Sequence, residues 1–254
     1  MIILEQFSLA GRTAIVTGAS RGLGEGMALG LARAGADVIV VASSDKVHET
    51  AAKIHDLGRK SVAIQADLGS TDPIPHIINT AVENFGKLDI LINCAGIIRR
   101  SPAADFTEKD WDDVMNVNLK SLFFLCQAAA KEMMKQNKGK IINIASLLSF
   151  QGGILVPSYT AAKSGVAGLT KALANEWAQY GINVNAIAPG YMDTEMTDAL
   201  QKDSDRATAI LARIPQGRWG TPEDMQGTAI FLASDAANYL QGQVIAVDGG
   251  WMGR

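Results

Sequence analysis

Apolar residues fall along the chain in two alternating rhythms. Short runs rich in valine and isoleucine, at residues 13–17, 37–42, 61–65, 88–93, 140–145, 183–188 and 243–247, read as strands covered on both faces. Between them lie longer segments in which apolar positions recur every three or four residues: 23–34, 45–57, 74–85, 108–136, 158–180 and 222–233, with weaker helical character across 195–213. Gly35 and Gly58 stand where helix C-caps belong, and Pro222 followed by Glu223 and Asp224 suits a first turn. Strands that alternate with helices, joined by right-handed crossovers, predict an α/β fold: a doubly wound parallel sheet of seven strands with helices on both faces. No linker, repeat or shift of composition interrupts the pattern, so residues 1–254 are expected to form a single domain. In such a sheet ligands bind at the carboxyl ends of the strands, where the winding reverses.

Composition narrows the function. With 48% apolar residues in 254, the chain can bury a large core and is not a disordered one. The 23 basic and 26 acidic side chains leave a net charge of −3 with no basic run longer than two residues, which gives nucleic acid or an anionic membrane nothing to hold. Uninterrupted apolar runs such as 38–42 are far shorter than the roughly 20 residues of a bilayer span, so no membrane insertion is expected. The start of the chain lacks a basic flank and the apolar stretch of about 7–15 residues of a secretory signal, and a cytoplasmic location is expected. Cys94 and Cys126 cannot form a disulfide framework or, with His48, His55 and His76 scattered on helices, a metal site; they are expected as reduced core cysteines, and the histidines as surface residues. Small-molecule chemistry is what remains.

The first expected strand runs directly into Thr17-Gly18-Ala19-Ser20-Arg21-Gly22-Leu23-Gly24 at the start of a helix. Gly18 permits a tight turn, Gly22 lets backbone approach a pyrophosphate, and Gly24 lets the helix pack on the sheet, while the helix N-terminus offers unpaired N–H groups and positive dipole charge. A dinucleotide held by Gly18, Ser20, Arg21, Gly22, Leu23 and Gly24 is the natural occupant in this strand–turn–helix context. An acidic residue at the end of the second strand would bind the adenosine ribose and disfavour a 2′-phosphate; here Ala42 is followed by Ser43 and Ser44. Nothing there repels a phosphate, and Arg21 can pair with one, so NADP is permitted; a solvated Arg21 with serines capping the next helix is the other reading.

Tyr159 and Lys163 stand four apart in an expected helix, hence on one face. A phenol with a pKa near 10 is a poor base at neutral pH, but an ammonium within about 5 Å lowers that value. Ser146 closes the fifth strand, where its hydroxyl can bond a substrate carbonyl. Asn118 lies inside a long helix, and its amide is free to hold a water bridging towards Lys163.

Together with the glycine loop, these residues resemble the short-chain dehydrogenase/reductase family along essentially the whole chain. The matches are residues 17–24 for the glycine motif, Asp67 and Leu68 for the adenine contact, and Asn93-Cys94-Ala95-Gly96 for the family's Asn-Asn-Ala-Gly. Asn118, Ser146, Tyr159 and Lys163 match its catalytic tetrad, Pro189-Gly190 with Thr194 the segment over the nicotinamide, and Val247-Asp248-Gly249-Gly250 its C-terminal signature. Cys94 in place of the second asparagine is the one departure, and it is expected to weaken a sheet-edge hydrogen bond at most. The resemblance implies a Rossmann-type fold, a homotetramer, and hydride transfer between a nicotinamide and a carbon bearing an alcohol or carbonyl. It also implies that Tyr159 moves the proton, Ser146 steadies the substrate oxygen, and Lys163 binds the nicotinamide ribose and lowers the Tyr159 pKa. The implied cofactor contacts extend the glycine loop with Ser43, Asp67, Leu68, Asn93, Ala95, Gly96, Tyr159, Lys163, Pro189, Gly190 and Thr194.

For the substrate, the adjacent guanidinium groups of Arg99 and Arg100 can bind a carboxylate bidentately, or remain solvated. Gln151, Arg218 and Trp219, with Trp251, stand on loops that can close over a small polar ligand, and amide, arginine and indole groups suit a sugar acid better than a long acyl chain. Within the family the chain most resembles members that act on keto-deoxy sugar acids from uronate breakdown and use NAD. That favours NAD and leaves NADP open. The alternatives are a 3-oxoacyl-carrier-protein reductase, which the NADP-type loop residues resemble but for which no basic docking patch is seen, and a non-catalytic dinucleotide sensor, against which the intact tetrad stands.

Overall fold

The computed structural model describes residues 2–254. Seven strands, β1 (Thr13–Thr17), β2 (Asp37–Ala42), β3 (Ser61–Gln65), β4 (Ile90–Asn93), β5 (Gly139–Ile144), β6 (Ile182–Pro189) and β7 (Val244–Val247), form one parallel sheet in the order β3-β2-β1-β4-β5-β6-β7. The winding reverses between β1 and β4, and the carboxyl ends of these two strands therefore open a crevice. The α-helices are α1 (Gly22–Arg33), α2 (Val47–Asp56), α3 (Ile74–Phe85), α4 (Glu108–Met115), α5 (Leu122–Lys135), α6 (Pro157–Trp177), α7 (Asp198–Lys202), α8 (Ser204–Arg213) and α9 (Gln226–Ala233).

The strands are apolar throughout because both faces are covered. Ile15, Ile39 and Val41 point into one layer with Ile77, Leu125 and Val166 from α3, α5 and α6. Their neighbours Ala14, Val16, Val38 and Val40 point into the other, with Met27 and Leu31 from α1 and Leu232 from α9. Seven strands in a doubly wound parallel sheet are thus as the sequence implies, with ends moved by one or two residues. The expected helix over 108–136 is different: Asn116–Ser121 forms a π turn between α4 and α5. Tertiary bonds hold this wider turn, since Asn118 bonds the backbone of Ile97 and the Ser121 hydroxyl donates to Leu68 O at 2.8 Å. The 158–180 segment ends in a 3₁₀ turn at Ala178–Tyr180, and the 222–233 segment starts in one at Pro222–Met225, closed by a capping box between Thr221 and Asp224.

At the opposite, amino end of the sheet, Lys140 is only 1% exposed. Its ammonium donates to Oδ1 of Asn183 and of Asn238, both at 2.8 Å, joining β5, β6 and the connection towards β7. Among the described residues no helix is long and apolar enough to cross a membrane.

Candidate active site

The crevice is built around the end of β1. Thr17 is buried, and its hydroxyl accepts from both Cys94 N and Ala95 N at 3.1 Å, which ties β1 to the chain leaving β4. Gly18 then turns with φ +67, and a Cβ there would lie 2.8 Å from Ala95 Cα, so only glycine allows the two segments to close up. A side chain at Gly24 would run into the carbonyl of Gly18, directly after β1, so its absence lets the start of α1 close on the end of the strand. No side chain caps the N-terminus of α1, where Arg21 is the N-cap residue. The first-turn N–H groups and their dipole thus face the crevice without a side-chain partner, which is the cradle a pyrophosphate fits. At its adenosine end Ala42 closes β2 without a carboxylate, and Ser43 is exposed beside it. Asp67 is exposed and caps Gly69 N, while the Leu68 carbonyl is held by Ser121.

Across the crevice, Ser146 leaves β5 in an extended conformation and caps the turn Leu147–Ser149. Its hydroxyl accepts from Leu148 N at 3.2 Å, its N–H donates to Ser149 Oγ, and that hydroxyl donates to Lys163 O at 2.6 Å. This stitches the end of β5 to α6 at the level of the lysine. Tyr159 and Lys163 lie one turn apart on α6, with the Lys163 Nζ 5.6 Å from the Tyr159 ring centroid. Burial pushes the phenol up to about 12, against a hydrogen bond from Ser146 and the positive charge of Arg100. Burial also brings Lys163 down to about 8, and its Nζ donates to Ile144 O at 2.5 Å. The expected lowering of the phenol pKa by Lys163 is therefore not seen: the amine faces a main-chain carbonyl, and desolvation of the phenol dominates.

Several expected roles change. Asn118 is fully buried, and its amide holds Ile97, accepting from the N–H at 2.8 Å and donating to the carbonyl at 2.9 Å. It therefore fixes the loop after β4, with one N–H and one lone pair of the amide beyond these two bonds. Asn93 turns into the sheet, donating to Asn143 Oδ1 and Cys126 Sγ, so its side chain does not reach the crevice; Ala95 and Gly96 border it. Cys94 is half-buried and packs against the edge of the core, while Cys126 lies inside it; both are free, and burial raises both thiols. Arg99 and Arg100 do not act as a pair. Arg99 lies 3.4–3.5 Å from Asp110 and Asp113 of α4, whereas Arg100 donates to Met196 O at 3.2 Å, and its charge acts weakly on the Tyr159 phenol. Arg218 is engaged by both carboxylate oxygens of Asp224, and this holds the acid at about 2, so it has little left for a substrate. Arg21 forms an ion pair with Glu195, across from the glycine loop.

On the other side, Pro189 ends β6, and Gly190 passes so close to Asp248 that a Cβ would lie 2.6 Å from its Cα. Thr194 stands over Gly22 of the glycine loop. Beyond it Tyr191 and Trp219 meet edge to face, and Trp251 lies tilted against Tyr191 with ring centroids 4.6 Å apart, packed with Leu147, Ile210 and Ile214. Gln151 lies against this wall. The joining roles of the Thr17 and Ser149 hydroxyls were not legible in sequence, because a threonine ending a strand and a serine in a turn look ordinary until their distant partners are known. Among the described residues no three His, Cys, Asp or Glu side chains cluster to hold a metal.

Residues 18–252 match the family model described as enoyl-(acyl carrier protein) reductase. Over 254 residues, covering 100% of both chains, the sequence is 57% identical to the 2-dehydro-3-deoxy-D-gluconate 5-dehydrogenase of Escherichia coli (strain K12). A crystal structure from Agrobacterium tumefaciens, of a candidate 2-deoxy-D-gluconate 3-dehydrogenase with bound NADP, is 55% identical and superimposes with a TM-score of 0.91 over 98% of this chain and 99% of that one. A 3-oxoacyl-[acyl-carrier-protein] reductase of Staphylococcus aureus is more distant, at 42% identity over 94% of this chain and 97% of its own.

Proposed function

The chain belongs to the short-chain dehydrogenase/reductase family, and from that premise we propose that it interconverts a hydroxyl and a keto group of a keto-deoxy sugar acid of the 2-dehydro-3-deoxy-D-gluconate type with NAD(P). The convergence of Tyr159, Ser146 and Lys163 opposite the uncapped start of α1 carries the reading. The nicotinamide would supply or accept the hydride there. Gly18, Ser20, Arg21, Gly22, Leu23 and Gly24 would hold the pyrophosphate, with Ala95, Gly96, Gly190 and Thr194 around it and Ser43, Asp67 and Leu68 at the adenosine end. For carbonyl reduction the phenol must carry its proton, and a Tyr159 pushed to about 12 does so at neutral pH. Ser146 positions the substrate oxygen against that phenol. Lys163, anchored on Ile144 O, is close enough to turn its amine towards the phenol and the ribose when oxidation requires the phenol to lose its proton. Arg100, exposed and near enough for its charge to act on the phenol, would take the carboxylate of a sugar acid.

The relationship to sugar-acid dehydrogenases across the whole length favours this substrate over an acyl chain on a carrier protein. Ala42 and exposed Ser43 leave room for a 2′-phosphate, so the groove suits NADP as well as NAD. Outer-face residues of α5 and α6 suit self-association, the homotetramer of the family being the expected form. On these helices Leu122, Val166 and Leu173 complete the core of the chain itself, whereas Phe123, Ala128 and Leu169 are half-buried and Phe124 is exposed. The test is a panel of uronate-derived keto acids assayed with NADH and NADPH in parallel, with sedimentation for the assembly. Turnover of a keto-deoxy sugar acid is expected; turnover confined to 3-oxoacyl substrates would overturn the reading.

A further inference from the structure

The C-terminal tail is held firmly beside the site. Asp248 accepts from Gly250 N at 2.9 Å and Met252 N at 2.8 Å, and the left-handed turn at Gly250 directs Trp251 inward, where it is 4% exposed. The indole lies between the Arg213 guanidinium, 3.9 Å from its ring centroid, and the Tyr191 ring. From this fixed position Nε1 donates to Gln151 Oε1 at 3.4 Å, across 100 residues of chain. Gln151 follows Ser146 by five residues, and its backbone N–H donates to Leu147 O, so it stands on the loop that runs from Ser146 to the start of α6.

An indole N–H can only donate, whereas a glutamine amide has one accepting and one donating end. The tryptophan therefore decides which way the amide faces: its oxygen turns to the indole, and among the described residues the two N–H groups of Nε2 have no protein partner. We infer that Trp251 is a positioning residue, and that it sets Gln151 to present N–H donors to an oxygen of the substrate remote from the reacting carbon. This deepens the sugar-acid reading and rests on it. A polyoxygenated acid satisfies those donors, whereas an acyl chain leaves them desolvated and unpaired, so the pair selects for oxygen-rich substrates.

The experiment is a double-mutant cycle on the full-length protein, assayed with 2-dehydro-3-deoxy-D-gluconate and NADPH. Trp251→Phe keeps an aromatic ring against Arg213 and Tyr191 while removing the indole donor and its five-membered ring; it is expected to raise the sugar-acid KM about three- to tenfold, with a smaller change in kcat and no change in the NADPH dissociation constant. Gln151→Met is expected to raise KM by at least as much, and adding Trp251→Phe to it to have no further effect. Equal, additive effects of the two substitutions would overturn the inference, because Trp251 would then act through packing alone. An unchanged KM in both single variants would overturn it as well. Should Trp251→Phe fail to fold, Gln151→Glu decides: it keeps an acceptor for the indole but presents an anion to an anionic substrate, so an unchanged KM there refutes the donor role. Absence of sugar-acid turnover by the unsubstituted protein would refute the functional reading instead, a result distinct from any of these.

Discussion

Thr17→Val replaces the hydroxyl that closes β1 onto the segment after β4 with a methyl of nearly the same volume. The side chain is 1% exposed, and its oxygen is the acceptor for two main-chain donors, Cys94 N and Ala95 N, each at 3.1 Å. Each bond is worth about 0.5–1.5 kcal/mol net, and both donors are left facing a methyl, so the loss is about 2 kcal/mol. For a chain of this size that lowers the melting temperature by about 4–8 °C. The perturbation also reaches the crevice, because Ala95 is the residue on which Gly18 closes, where a Cβ would lie 2.8 Å from Ala95 Cα. A looser fit there presents the pyrophosphate cradle less well, and the NADPH dissociation constant is expected to rise roughly three- to tenfold. Thermal denaturation and titration of nucleotide fluorescence measure the two effects on the same sample. A melting point within about 1 °C of the unsubstituted protein, with unchanged NADPH binding, would show that the hydroxyl does not join the two strands.

Tyr159→Phe removes the proton carrier but leaves the ring, so turnover is expected to fall at least about a hundredfold while nucleotide binding persists; retained turnover in a coupled assay would remove Tyr159 from the chemistry. Ala42→Asp places a carboxylate at the end of β2, where a ribose 2′-phosphate would lie, and is expected to shift preference towards NAD; an unaltered ratio of kcat/KM for the two cofactors would show that position 42 does not read the ribose. Lys140 is pushed down by burial to about 8 from 10.5, so between those values the unfolded chain holds a proton that the folded protein has released. Stability should therefore rise with pH across that window, by of order 3 kcal/mol at most, and Lys140→Met should flatten the rise in urea denaturation; an identical pH slope in the variant would contradict the burial argument.

The alternation of apolar runs with helical periods was enough to establish seven parallel strands and their helices, because strands covered on both faces leave an unbroken apolar signature and parallel neighbours require crossovers. Glycines after the first strand, and a tyrosine and lysine four apart, marked the crevice and its chemistry for the same local reason: spacing along one strand–turn–helix or one helical face fixes proximity. What spacing cannot carry is the partner of a side chain that lies far off in sequence. Only the folded chain decided that Asn118 holds Ile97 with its amide, that Asn93 turns into the sheet, and that Arg99 and Arg218 are engaged by Asp110, Asp113 and Asp224 while Arg100 donates to Met196 O. The π turn at Asn116–Ser121 belongs with these, since its geometry is held by tertiary hydrogen bonds to residues 97 and 68 and not by any local preference. The charge state of Tyr159 and Lys163 was likewise set by desolvation, a property of everything packed around them and of no single stretch of sequence.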